Sequence, residues 1–239
     1  LQSGGWKPPE LKPPLLIINC KNYRAAWGEG GLRLASVAED VGRRFNVTVA
    51  VAPAAPFLKY ISGGTRLPIL SQHVDTVGEG AATGFLAPSS LKEAGCVGSL
   101  LNHSEHKLSA RQVATAISLL RQEGLVAVVC AEDVSEARRL ARLRPDFLAI
   151  EPPELIGTGV SVSKARPEVI TATINEVKAF SPQTRVLCGA GVSDGADVEA
   201  ALKLGSDGVL VSSGIVLAKD WRRAIEDMVG PMRAFYRGA

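Results

Sequence analysis

Eight short apolar runs recur along the chain, each followed by a polar or glycine-rich loop and then by an amphipathic helical pattern. The runs are Leu15–Asn19, Thr48–Ala52, Ile69–His73, Cys96–Leu101, Ala127–Cys130, Phe147–Ile150, Arg185–Cys188 and Gly208–Val211. Most are apolar at successive positions, the pattern of parallel strands covered on both faces. Parallel strands separated by helices close naturally into a (β/α)8 barrel, a single α/β domain of about 200–250 residues. The 239 residues, 46% of them hydrophobic, suit that size. An open doubly wound sheet satisfies the same periodicity.

Helix boundaries are written into the loops. Ser90-Leu91-Lys92-Glu93 and Ser109-Ala110-Arg111-Gln112 have the spacing of a capping box, in which a serine and a residue three positions on satisfy each other's backbone N–H. Gly95, Gly124 and Gly205 fall where helices should stop. Asp133 opens the helix that carries Arg138, Arg139 and Arg142, which reads as a solvated outer face rather than an anion site. Pro231 should break or kink the last helix. Residues 1–14 read as a proline-rich extension, partly foreign to the native chain, with Pro8, Pro9, Pro13 and Pro14 expected to hold it extended on the surface. The barrel domain is expected over residues 15–239.

Composition narrows the function classes. A net charge of +3 argues against a nucleic-acid or membrane-surface role. No uncharged apolar run reaches the roughly 18 residues that a membrane helix requires, so no span is expected. Cys20, Cys96, Cys130 and Cys188 each lie in or beside an apolar run and form no C-x-x-C pair, which fits buried thiols in a reducing cytoplasm and no zinc site.

Chemistry concentrates where Phe147–Ile150 meets Glu151-Pro152-Pro153. Proline fixes φ and lacks an N–H, so the strand ends there with a carboxylate at its tip. Gly157 and Gly159 follow, and their backbone N–H groups can approach a ligand closely. The stretch reads as a base on a rigid strand tip, a stiff hinge and a flap; the plainer reading is a solvated glutamate in a proline-rich loop. Two further motifs sit after earlier strands, Asn19-Cys20-Lys21 and Asn102-His103-Ser104-Glu105-His106. By themselves Lys21 reads as a surface lysine and His103 as a structural histidine. The His103/His106 spacing is compatible with a metal pair, but no third ligand accompanies it. Gly189-Ala190-Gly191 resembles a dinucleotide loop only weakly, because Gly195 misses the spacing.

Taken together, in this order and at these separations, the three motifs resemble those of triosephosphate isomerases, most nearly the compact archaeal branch. The likeness runs from about Leu15 to the last helix. It implies the interconversion of dihydroxyacetone phosphate and D-glyceraldehyde 3-phosphate, a step of glycolysis and gluconeogenesis, with no metal and no organic cofactor. By the same resemblance Glu151 is the base, a neutral His103 at the start of a short helical turn is the electrophile, and Lys21 neutralises developing charge. Asn19 lines the site and Glu105 supports Lys21. Ile156 and Gly157 in the flap, Gly191 after the seventh strand, and Ser212 and Ser213 after the eighth bind the substrate, the last two standing where glycines are usual. Cys20 replaces a more usual aromatic residue and should face the packing. The long loop Val74–Pro88, with Gln72, Thr83 and Gly84, matches the family's interdigitating loop and implies homodimers, paired into a homotetramer in the archaeal branch. A different sugar-phosphate barrel would share the late glycine loops without these three side chains, and a binding-only barrel would not need them filled.

Overall fold

The structure, a computed structural model, describes residues 10–155 and 161–237. Eight parallel strands form the centre: β1 Leu15–Asn19, β2 Thr48–Ala52, β3 Leu70–Ser71, β4 Gly98–Leu101, β5 Val126–Ala131, β6 Phe147–Ile150, β7 Arg185–Cys188 and β8 Gly208–Val211. Their order is β2-β1-β8-β7-β6-β5-β4-β3. A parallel bridge between Val51 and Ile69 joins the two ends of that order, so the sheet is closed and the open alternative is excluded. Around it lie α1 Gly28–Phe45, α2 Leu58–Ser62, α3 Pro88–Glu93, α4 Ala110–Gln122, α5 Val134–Ala141, α6 Val162–Ala165, α7 Pro167–Phe180, α8 Gly195–Lys203, α9 Ser213–Val216 and α10 Trp221–Arg237.

Side chains alternate along each strand between two apolar layers. Leu15, Ile17, Ala50, Leu100, Val128, Phe147, Leu187 and Leu210 fill the barrel. Leu16, Ile18, Val49, Val129, Leu148, Val186 and Val209 face the helices. Small residues at Ala50, Ala52 and Ala149 offset bulky ones in the interior. Leu11 belongs to the same interior layer, so the described end of the proline-rich extension is not wholly on the surface as expected.

The strand runs hold at β1, β2, β6, β7 and β8 to the residue. β3 is shorter than Ile69–His73, because the chain turns at Ser71, whose hydroxyl donates to the His73 carbonyl. The expected capping box at Ser109 is complete, with Gln112 answering it. The one at Ser90 is absent. α3 begins two residues earlier at Pro88, whose fixed φ and missing N–H suit a first helical position. Gly95, Gly124 and Gly205 all take positive φ just past helix ends. Arg138 pairs with Glu176 at 3.4 Å, and the Arg138 and Arg142 guanidinium groups lie over the Phe180 ring, so this outer face joins α5 to α7.

Pro231 does not end α10, which continues to Arg237. A proline cannot donate to the carbonyl four residues back, here that of Asp227. Gly195, the first residue of α8, packs against that carbonyl, and a Cβ built on Gly195 would stand only 2.4 Å from the Asp227 oxygen. The Gly195 N–H donates to the Asp227 carboxylate at 2.7 Å. The proline is thus tolerated where α8 and α10 approach most closely. Gly195→Ala should therefore lower the free energy of unfolding by about 1–3 kcal/mol, read by chemical denaturation; an unchanged midpoint would contradict the close approach.

Candidate active site

The C-terminal tips of the strands form one mouth, lined by Asn19, Lys21, Tyr23, His103, Glu151, Gly191, Ser193, Ser212 and Ser213 among others. The motifs that are distant in sequence therefore meet there. Ile156 and Gly157 lie outside the described residues.

Lys21 follows β1 with φ +45°, a left-handed conformation that costs energy for a residue with a Cβ. Three hydrogen bonds hold it. Its N–H donates to the Asn19 side chain at 3.0 Å. The Gln72 amide donates to both the Lys21 and Ala52 carbonyls, each at 2.9 Å. The Lys21 ammonium, largely buried, lies 2.7 Å from the Glu105 carboxylate, which supplies the supporting partner expected of Glu105. Cys20 faces the helix layer and is buried, as expected, and burial pushes its thiol up to about 12.

His103 starts a single turn, closed by the His106 N–H donating to the His103 carbonyl at 2.8 Å. What acts on the ring is one backbone group. The Glu105 N–H donates to Nδ1 at 3.2 Å, which makes Nδ1 an acceptor and places the ring proton on Nε2, facing Glu151. The Glu105 carboxylate is farther from Nδ1, at 3.7 Å, so the backbone donor decides the tautomer. Asn102, also left-handed at φ +59°, anchors this turn. Its amide donates to the Cys130 carbonyl at 2.9 Å and to Glu136 at 3.0 Å, and its oxygen accepts the Leu108 N–H at 2.9 Å. His106 does not pair with His103 around a metal; it stacks on His73 at 4.0 Å between ring centroids.

Glu151 is 6% exposed, and its N–H completes the ladder to Ala131 at 2.8 Å. One carboxylate oxygen lies 3.8 Å from His103 Nε2, and the other is buried with no hydrogen-bond partner among the described residues. Burying a carboxylate oxygen unpaired is costly. Gly189 makes room for Glu151, since a Cβ there would come within 2.4 Å of its Cγ. Burial pushes the Cys130 thiol well up, and the neighbouring Glu151 carboxylate adds to the effect, so Cys130 stays a neutral thiol beside Glu151. Among the described residues no cluster of His, Cys, Asp and Glu could hold a metal ion.

Across the mouth, Ala190 and Gly191 take φ +61° and +69°, and Gly214 packs against the turn they make, its Cβ position 3.1 Å from Ser193 Cα. Ser212 precedes the short helix α9, and its buried hydroxyl has no partner among the described residues. Gly191, Ser212 and Ser213 thus face the same pocket as Glu151 and His103.

A model of the triosephosphate isomerase family matches residues 14–228. The triosephosphate isomerase of Methanothermus fervidus is 42% identical over 219 residues, 92% of this chain and 99% of that protein. That of Cenarchaeum symbiosum is 45% identical over 221 residues, covering 92% and 99%. That of Methanocaldococcus jannaschii is 41% identical over 215 residues, covering 90% and 98%. The chain belongs to the triosephosphate isomerase family. The family interconverts dihydroxyacetone phosphate and D-glyceraldehyde 3-phosphate, so the chain is an isomerase of triose phosphates.

Several residues of this isomerase site escaped sequence reasoning. Gln72 entered only through its loop, yet it buttresses Lys21. Gly189 carries a signal, a glycine directly after a strand run. Tyr23 and Ser193 carry none, because only the closed sheet brings them to the mouth. Glu136 is another. Burial pushes its carboxyl up, but the Lys107 ammonium, the Glu132 N–H and the Asn102 amide outweigh burial and hold it below its ordinary range. A carboxyl lowered by folding adds stability above its unfolded value and loses that stability as pH falls through the folded value. Glu136→Gln should thus be less stable than the parent near pH 7, and the gap should shrink as pH drops below about 4. Denaturation curves at both ends of that range check this; a gap independent of pH would contradict it.

Proposed function

We propose that Glu151, His103 and Lys21 carry the isomerisation in this chain. Glu151 removes a proton from the hydroxyl-bearing carbon next to the substrate carbonyl. The C–H electrons move into the new carbon–carbon double bond, and the carbonyl oxygen becomes an enediolate oxygen. The His103 Nε2–H donates to that oxygen as its charge grows, and the Lys21 ammonium supplies fixed positive charge beside it. A proton passes from the original hydroxyl oxygen to the former carbonyl oxygen across His103 Nε2, the protonated Glu151 returns its proton to the neighbouring carbon, and a carbonyl re-forms at the first carbon, so hydrogens change place with no net redox change. The phosphate is held by the backbone at Gly191, Ser212 and Ser213, where loops after the seventh and eighth strands meet a short helix start. Asn19 shapes the mouth, and Glu105 fixes both Lys21 and the His103 tautomer. The observation that supports this most is the buried, half-unpartnered Glu151 carboxylate facing the imidazole nitrogen that carries the proton.

The test is kinetic. Glu151→Asp withdraws the base by one methylene and should lower turnover by about 100-fold or more with a small change in KM. His103→Gln should also lower turnover. Parent-like turnover in either variant would remove that residue from the mechanism.

The same reading extends to assembly. The loop Val74–Pro88 is closed at its base by the Asp75 N–H to the Leu86 carbonyl at 2.9 Å and by the Leu86 N–H to the Asp75 carboxylate at 2.8 Å. It presents Phe85, 56% exposed, beside that closure, next to Thr83 and Gly84. A preformed loop with an exposed aromatic suits insertion beside the site of a second copy, and such homodimers pair into a homotetramer. Light scattering should give about four times the 25.1 kDa chain mass; a monomer would refute the assembly. Four free, buried cysteines support a reducing cytoplasmic setting.

A further inference from the structure

The chemistry above leaves unused a buried carboxylate that is paired with a half-exposed lysine. Asp197, in the first turn of α8, is 1% exposed. One of its carboxylate oxygens accepts both the N–H and the hydroxyl of Ser193, each at 2.9 Å. The Lys164 ammonium, from α6, faces the other at 2.7 Å. The Asp197 backbone carbonyl accepts the Ser163 hydroxyl at 3.1 Å, and Ser161 accepts the Ser163 N–H at 3.1 Å. The Val162 N–H donates to the Ala190 carbonyl at 3.3 Å. The turn at residues 190–193 is therefore clamped from behind by Asp197, from the side by residues 161–164 and from the front by Gly214. Ser193 and Gly191 line the reaction pocket, and Asp197 does not.

We infer that Asp197, neutralised by Lys164, is a positioning residue for the substrate's phosphate group, acting through Ser193 on the turn at residues 190–193. The inference rests on the phosphate site proposed above. Two left-handed residues in succession, one of them not a glycine, form a turn that needs an external hold. A carboxylate is suited to it, because charged acceptors make stronger bonds to N–H and O–H groups than neutral ones. Left unpaired behind a phosphate, the same carboxylate would repel it. Lys164 cancels that field while keeping the acceptor in place. Burial pushes the Asp197 carboxyl up, but Lys164 and the two Ser193 groups outweigh it and hold it below its ordinary range, so the clamp is charged at neutral pH.

The experiment compares substrates with and without phosphate. Asp197→Asn keeps shape and one acceptor but loses the charge. It should weaken competitive inhibition by inorganic phosphate about tenfold and raise KM for the triose phosphates by a similar factor. Its slow kcat/KM for D-glyceraldehyde, which has no phosphate, should equal that of the parent. Lys164→Met should show the same pattern to a smaller degree. A parallel fall in the D-glyceraldehyde reaction would make Asp197 merely structural and overturn the inference, as would unchanged phosphate inhibition. If the parent itself is not inhibited by inorganic phosphate and does not favour phosphorylated substrate, the phosphate site fails and the inference falls with it.

Discussion

β1 is hydrogen-bonded along both edges, to β2 from Leu15↔Thr48 through Asn19↔Ala52 and to β8 from Leu15↔Gly208 through Ile18↔Val211. With the Val51↔Ile69 bridge completing the ring, no strand edge is left open between β2 and β3. Closure sets the level of every strand tip. Ile150 stands beside Ala131 and Cys188, so Glu151 emerges between the ends of β5 and β7 and level with them. Parallel register in a closed ring brings Lys21, His103 and Glu151, from three distant segments, to one mouth.

The mouth is costly to build. Lys21, Asn102 and Ala190 hold left-handed backbone, and Glu151 buries an oxygen without a partner. The surrounding polar groups offset this in large part by hydrogen bonds to backbone groups. Gln72 bridges two carbonyls, Asn102 joins two strands and a loop, and Asn19 and Asp197 accept from N–H groups. Each such bond adds about 0.5–1.5 kcal/mol net. Together they make a rigid frame, so that little reorganisation remains for the moment of reaction. One Glu151 oxygen and the Ser212 hydroxyl remain without hydrogen-bond partners among the described residues.

Much of this was legible in the residue order. The strand runs were visible because burial on both faces leaves unbroken apolar stretches, and Pro152-Pro153 marked the end of β6 without ambiguity. The glycines at helix ends were visible because positive φ selects them. The exceptions are features that tertiary packing decides. Ser90 has the capping spacing, but Pro88 starts the helix first. Pro231 was expected to break or kink the last helix, yet α10 runs through it to Arg237, and Gly195 brings α8 against the carbonyl that the proline leaves free. His103 opens a short turn as its place in the motif implied, but the hydrogen bond from the Glu105 N–H to its Nδ1 could not be read from the residue order. Leu11 looked like surface chain and fills the barrel floor. Gln72, Glu136 and Asp197 act across separations of 20 to 51 residues or through another element, and no local pattern announces such partners.

The central claim is that Lys21, His103 and Glu151 converge on one reacting triose while the turn at residues 190–193 and the start of α9 hold its phosphate. A crystal structure with a phosphorylated hydroxamate mimic of the enediolate tests it most directly. The mimic's oxygens should lie within hydrogen-bond reach of His103 Nε2 and Lys21 Nζ, the free Glu151 oxygen should face its central atoms, and its phosphate should meet the backbone at Gly191 and Ser213. A mimic bound elsewhere, or bound here with Glu151 turned away from it, would contradict the account.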